Sequence, residues 1–456
     1  MVYVRISNIE NDQIFQQTDG YADIEICGMV QEATDKPGAV HAWLTREQNG
    51  TLATAVTRAE MDGERFRVTL RAAAGGPYTL RVKYMRDEEW DAGSNGECRF
   101  RIGVGDIYVI AGQSNAAGFG RTPSEEIQDG RVHLFTLGHH WRKGAHPLSD
   151  GCGYPFTPIG EWCVTGASPF ISFAATVARE LNYPIGLLQT AQGGMPIGCW
   201  AAGGVLYEKM LEVIRLAGGR VKGVLWYQGC SDTDRREDAE AYLARFTDMT
   251  ARLRRDLDRP ELPILTVQIN KFGAAQDDPR NACWGVLKEA QRQAARTIPW
   301  VYIVPSHDVT LSDFAHNSAA GCQMIGQRLA WKALHEIYGR HYYCDAPDLE
   351  EAAIAERRIT LRFSGVAISL DSCWLPVEKC DFVFEDDRGK IPLERYEMKR
   401  DVCTVTLARE PEGTVYCSFA PYCTHSGMLP LERATGMPPL GFCRVPARAE
   451  GSGRHA

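Results

Sequence analysis

Between residues 106 and 340 the sequence switches repeatedly between two periods, and this alternation constrains the fold more than any other feature. Short apolar runs predict strands: Ile107-Tyr-Val-Ile110, Pro184-Ile-Gly-Leu-Leu188, Gly223-Val-Leu-Trp-Tyr227, Pro263-Ile-Leu-Thr-Val-Gln268 and Val301-Tyr-Ile-Val304. Longer amphipathic stretches between and after them predict helices over 169–181, 205–217, 238–257, 284–296 and 319–337. Ser168-Pro169 stands where an N-cap and a first-turn proline belong. Repeated βα units of this kind imply an α/β fold, a parallel sheet covered by helices on both faces. In such open sheets ligands bind beyond the carboxyl ends of the strands.

Both flanks read differently. Residues 1–105 contain alternating runs such as Ala22-Asp-Ile-Glu-Ile-Cys27 and Arg65-Phe-Arg-Val-Thr-Leu70, punctuated by Gly75-Gly-Pro77. Period two with turns between predicts a small Ig-like β-sandwich. Residues 341–456 alternate again, in Arg358-Ile-Thr-Leu-Arg-Phe363 and Val402-Cys-Thr-Val-Thr-Leu407, and predict a β-rich module. Three regimes suit a length of 456 residues. Between Gly118 and Gly166 lies a stretch with no clear period, rich in Gly and Pro, which a compact domain usually keeps for function.

The formal net charge of −8 argues against a nucleic-acid partner, which calls for a basic patch or stripe. No apolar run approaches the ~18 residues that span a bilayer, so no membrane partner is expected. The opening MVYVRISNIENDQIF has no apolar h-region. The 15 cysteines are odd in number and scattered, which suits reduced thiols packed as small apolar residues. Together these features lead us to expect a cytoplasmic protein.

Four of the predicted strand ends carry residues suited to chemistry. Ala111-Gly-Gln-Ser-Asn115 follows the first strand, and its serine can point a hydroxyl into the crevice or simply cap a turn. Ala191-Gln-Gly-Gly-Met-Pro-Ile197 follows the second, and paired glycines can offer a bare backbone N–H to an oxyanion. Trp226-Tyr-Gln-Gly-Cys-Ser-Asp232 follows the third, where Gln228 can add a side-chain donor or be a surface amide. Ser312-Asp-Phe-Ala-His316 follows the last, and its spacing lets a carboxylate and an imidazole lie side by side. Each segment alone reads as an ordinary turn. All four at one sheet edge supply a nucleophile, a base, an orienter and donors.

Taken in this order, Gly112-Gln-Ser-Asn115, Gln192-Gly-Gly194 with Trp200, Trp226-Tyr-Gln-Gly229 and Asp313-x-x-His316 resemble the blocks of SGNH hydrolases. They are most similar to the sialate O-acetylesterase branch, which includes acetylxylan esterases. Asn11-Asp-Gln-Ile-Phe-Gln16, Gly76-Pro77-Tyr78, Gln291, the run from Gly326 through Arg328 to Ala330 and Gly436-Met-Pro-Pro-Leu-Gly-Phe442 extend the resemblance over nearly the whole chain. It implies a flavodoxin-like parallel sheet flanked by helices over 106–340. It also implies Ser114 as nucleophile, His316 as general base and acid, and Asp313 as orienter. The implied oxyanion hole is the N–H of Ser114, the N–H of Gly194 and the side chain of Gln228, with Asn115 beside the substrate. The implied reaction is removal of O-acetyl groups from a small acetylated carbohydrate through an acetyl-enzyme, with no cofactor or metal. One departure is Cys230, where the family commonly has glutamate; a second nucleophile there would need an electropositive niche.

Trp141, Trp162 and Trp200 are candidates for stacking on a sugar face, with core packing as the alternative. Three rival readings remain. A short-chain lipase or thioesterase of the GDSL type would use the same triad with a longer apolar groove. A non-catalytic carbohydrate-binding protein would rely on the β modules. A zinc site would draw on His139, His140, His146, Cys152 and Cys163, whose spacings match no regular zinc pattern.

Overall fold

The strand that begins the predicted α/β region is longer than its apolar run. In the computed structural model it covers Glu97–Gly112, and its two halves serve two sheets. Its first half pairs with Gly75–Met85 and Ile14–Gln16, and its second half with Ile185–Gln189 and Gly223–Tyr227. The structure describes residues 2–31, 38–85, 94–121, 126, 128–149, 166–275, 277–371, 376–425 and 428–450.

The chain is a mixed α/β protein. Its central sheet runs in the order Trp141–Lys143, Val132–Phe135, Ile185–Gln189, Glu97–Gly112, Gly223–Tyr227, Ile264–Val267, Val301–Val304. All pairs are parallel except the first, which is antiparallel. The strands are apolar on both faces because helices cover both. Ile107, Val109 and Ala111 face a core shared with helices Val205–Leu216, Arg236–Asp256 and Arg280–Thr297. Tyr108 and Ile110, pointing the other way, pack with helices Pro169–Leu181 and Ala319–Glu336. Those two helices approach closely at Gly326, where a Cβ would stand 2.2 Å from the Pro169 carbonyl oxygen.

The five predicted strands and five predicted helices of this region are all present; the first strand begins ten residues earlier than its apolar run, and the other ends shift by a few residues. Two details differ. Ser168 occupies the N-cap position, but its hydroxyl donates to the Ala116 carbonyl (2.8 Å) instead of capping the helix. The stretch without period supplies the edge strand Trp141–Lys143 and its neighbour Val132–Phe135, too short to show a repeat.

Before the central sheet, Tyr21–Gln31 and Arg65–Ala73 belong to one sheet, and Ala39–Arg46 and Gly75–Met85 to another. Ile24, Ile26, Val68 and Leu70 share one core with Val40, Leu44, Leu80 and Val82. After it, Arg358–Ser364 and Val402–Leu407 lie in one sheet and Phe382–Asp386 and Tyr416–Phe419 in another, around Leu361, Val405, Phe382 and Phe419. The last segment docks back on the helical layer. Arg328 donates to Gly436 O (3.2 Å), and the Gln268 carboxamide exchanges bonds with both backbone groups of Gly441 (2.8 and 2.9 Å). No helix among the described residues is long and apolar enough to cross a membrane.

Candidate active site

The first strand ends at Gly112, where φ is 127° and a Cβ would stand 2.2 Å from the Tyr227 carbonyl oxygen. Only glycine tolerates that approach. The chain then turns through Gln113 into the short helix Ser114–Ala117, which closes at Gly118. Gln113 Oε1 accepts the Gly229 N–H (2.9 Å) and so ties this turn to the third strand end. Ser114 is the first helical residue and is 9% exposed.

Asn115 places the histidine segment beside Ser114. Its Nδ2 donates to the Ala315 carbonyl (3.3 Å) and its Oδ1 accepts the Asn317 N–H (2.9 Å). The two bonds bracket His316. Asn317 in turn bonds the Asn270 carboxamide (2.7 Å) and donates to the Tyr227 hydroxyl (3.0 Å), which lies 3.1 Å from Ser306 Oγ. This buried chain fastens the ends of four strands to one another.

His316 Nδ1 lies 2.8 Å from Asp313 Oδ2. The other oxygen, Asp313 Oδ1, accepts the N–H groups of Ala315 and His316, both at 2.8 Å. Burial pushes the Asp313 carboxyl up, but the bonds from His316 and these two backbone N–H groups outweigh it and hold it below the usual carboxylate range. Asp313 therefore stays ionised at neutral pH and fixes the ring nitrogen that faces it. Phe119 stacks on the imidazole with centroids 4.7 Å apart, and Phe314 lies near it at 6.5 Å, tilted by 57°.

The paired glycines reach the same place. A Cβ on Gly193 would stand 3.7 Å from Ser114 Cβ and 3.5 Å from the Phe119 ring, whereas Gly194, at φ 72°, faces open space. Gln228 has a different occupation from the donor role expected of it. It is fully buried, and its Nε2 donates to the Met195 carbonyl (3.0 Å) and to the Asp232 carboxylate. Both amide hydrogens thus have acceptors, and neither is left for an oxyanion.

Asp232 ends the third strand-end segment, where the sequence assigns it no role. Its fully buried carboxylate also accepts the Ile197 N–H (3.0 and 3.2 Å), with Arg245 3.9 Å away. Burial pushes it up to about 6, against the pull of Gln228, Ile197 and Arg245. It joins the second strand-end loop to the third. Its spacing from Gln228, four residues across a glycine turn, was the only available signal.

Three tryptophans were expected near a sugar. Trp200 is 0% exposed and packs edge-to-face on Trp226 in the core, so it offers no ring face. Trp141 is 6% exposed and tilted against Phe135, over Gly186. Trp162, Cys152 and Cys163 lie outside the described residues. Of the histidines considered for zinc, His140 faces Glu10 (3.1 Å) and His146 faces Glu126 (2.7 Å). Among the described residues, the one group of three metal-type donors within 4.8 Å is His335, Glu336 and Cys344, at the far end of the helix that begins after His316. Burial pushes the Cys230 thiol up to about 12, so it is no thiolate at neutral pH.

Comparison with known proteins fits this geometry. A probable carbohydrate esterase of Arabidopsis thaliana is 32% identical over 211 residues, 42% of this chain and 78% of that protein. The crystal structure of a carbohydrate acetylesterase from Xanthomonas citri superposes over 96% of this chain and 98% of its own, with a TM-score of 0.67 at 20% identity, and so shares the fold. Residues 104–335 match the family described as carbohydrate esterase, sialic acid-specific acetylesterase, and this chain belongs to it.

Proposed function

We propose that the protein is a serine carbohydrate esterase that removes O-acetyl groups from small acetylated saccharides, with Ser114 as nucleophile. The observation that carries this reading is the Asn115 carboxamide, which bonds the backbone on both sides of His316 and so sets the imidazole beside the serine helix. In this reading the central sheet is flavodoxin-like. Without its edge pair, the remaining five strands take the order 2-1-3-4-5.

A serine hydroxyl is a weak nucleophile at neutral pH and needs an adjacent base. His316 Nε2 takes the Ser114 proton as Oγ attacks the acetyl carbonyl carbon. Asp313 stabilises the imidazolium through Nδ1. Negative charge collects on the carbonyl oxygen, where the backbone N–H groups of Ser114 and Gly194 donate to it. The loss of one such donor costs about 2.7–4 kcal/mol. The sugar oxygen leaves with the proton from His316, and water then hydrolyses the acetyl-serine by the reverse sequence. Reduced thiols and the acidic net charge suit a cytoplasmic setting and a small soluble substrate.

Acetate release from an acetylated sugar by Ser114→Ala tests the assignment. Loss of turnover supports it, and turnover near wild type overturns it. Preference among p-nitrophenyl esters separates the carbohydrate reading from a lipase, because a sharp fall beyond acetyl excludes a long acyl groove.

A further inference from the structure

The expected sugar-stacking tryptophans leave the role open, and one exposed aromatic side chain lies beside the candidate base. Phe314 lies inside the Asp313–His316 turn and is 62% exposed. A phenyl ring in water is unfavourable, and this one lies 6.5 Å from the imidazole of the candidate base. It is held firmly. Asp313 Oδ1, by accepting the N–H groups of Ala315 and His316, closes a tight turn that throws residue 314 outward. The Phe314 carbonyl accepts the Gly273 N–H (2.6 Å), and the ring stands edge-on to Phe272 with centroids 5.4 Å apart. Phe272 is itself braced by the Arg280 guanidinium, 4.4 Å from its centroid. The exposed ring is thus fixed in place rather than loose.

We propose that Phe314 determines specificity by offering a flat apolar platform on which one face of the acetylated sugar ring rests while its acetyl group reaches Ser114. This rests on the esterase reading above and deepens it. The carboxylate that orients His316 also positions the platform, so the base and the sugar-binding ring are set by one turn. A pyranose presents axial C–H groups on one face and hydroxyls at its rim, which suits an aromatic plate beside a polar crevice. An acyl chain or a small alcohol ester has no such face and gains less.

The test compares kcat/KM on a peracetylated or mono-acetylated pyranoside with that on vinyl acetate, in the wild type and in Phe314→Ala, Phe314→Leu and Phe314→Trp. The expected result for Phe314→Ala is a roughly tenfold fall in the sugar-to-vinyl ratio, carried by KM rather than kcat. Phe314→Trp should restore the ratio, and Phe314→Leu, which keeps apolar bulk without a plate, should not. A ratio within twofold of wild type in Phe314→Ala overturns the proposal, as does full restoration by leucine. If Ser114→Ala retains turnover, the esterase reading itself fails, and that outcome is distinct from a Phe314 effect.

Discussion

Two histidines follow the last strand of the central sheet, nine positions apart, and the structure treats them in opposite ways. His316 keeps part of its ring exposed and holds a carboxylate at 2.8 Å. His307 is fully buried where the α/β region meets the carboxyl-terminal β module, with His425 edge-on at 6.0 Å and Phe419 at 6.2 Å. Burial, then the neighbouring Lys288, His425 and Arg328 charges, push His307 well below the usual imidazole range. His425 falls to about 3 for the same first reason, burial, with Lys288 and Lys271 adding to it. His316 has a carboxylate beside it to steady the charged form, whereas burial first, with Lys288 near both rings, keeps His307 and His425 neutral wedges, even with Asp381 3.9 Å from His425.

The sharpest way to break this contrast is to remove each ring in turn. His316→Ala, like Ser114→Ala, should lower kcat by on the order of 10^4 or more, measured as acetate release. His307→Phe should keep acetate release at neutral pH. If the two variants lose activity equally, the division of roles is wrong.

Asp313→Asn comes next. It keeps a side chain that can accept backbone N–H groups but leaves the imidazolium without its counter-charge. A loss of about 10^3–10^4 in kcat with little change in KM is expected. An unchanged kcat would remove Asp313 from the mechanism.

Asp232→Asn should cost less, about 10²-fold in kcat, because it loosens the loop carrying the paired glycines without touching the substrate. A change confined to thermal stability would make Asp232 a packing residue only.

The smallest effect concerns pH. His425 stays neutral in the folded protein down to about pH 3, whereas the unfolded chain protonates it below about 6.5. The unfolded state therefore binds more protons as pH falls through this window, and stability present above pH 6.5 is progressively lost below it. By pH 5 the loss is about 2 kcal/mol for His425 alone. Tm followed from pH 7.5 to pH 4.5 should fall, and His425→Phe should flatten the slope. A parallel slope in the variant would place the sensitive group elsewhere.

Much of the architecture was legible because burial on both sheet faces writes near-continuous apolar runs, as in Ile264–Val267 and Gly223–Tyr227. The short strand Val132–Phe135 was not, because four residues carry no measurable period. Asp313 and His316 were legible as neighbours because three-residue spacing in a turn fixes their geometry locally. The occupation of Gln228 was not, since it depends on Met195 and Asp232 folding against it from another loop and the next turn. Trp200 and Phe314 show the same limit from the other side. Residue type suggests what a ring can do, but only three-dimensional packing decides that the tryptophan is hidden and the phenylalanine displayed.

Ser114 lies two residues beyond a strand whose lower half is stitched to Gly75–Met85 and whose upper half is the middle of the catalytic sheet. The amino-terminal module is therefore no detachable passenger. An enzyme shortened to the α/β region would begin with a raw strand end, stripped of its partners and open to sticking to its own copies. Engineers who wish to graft this esterase onto another scaffold must carry the whole strand and its neighbours, because Ser114 is mounted on the tip of a beam anchored in the other module.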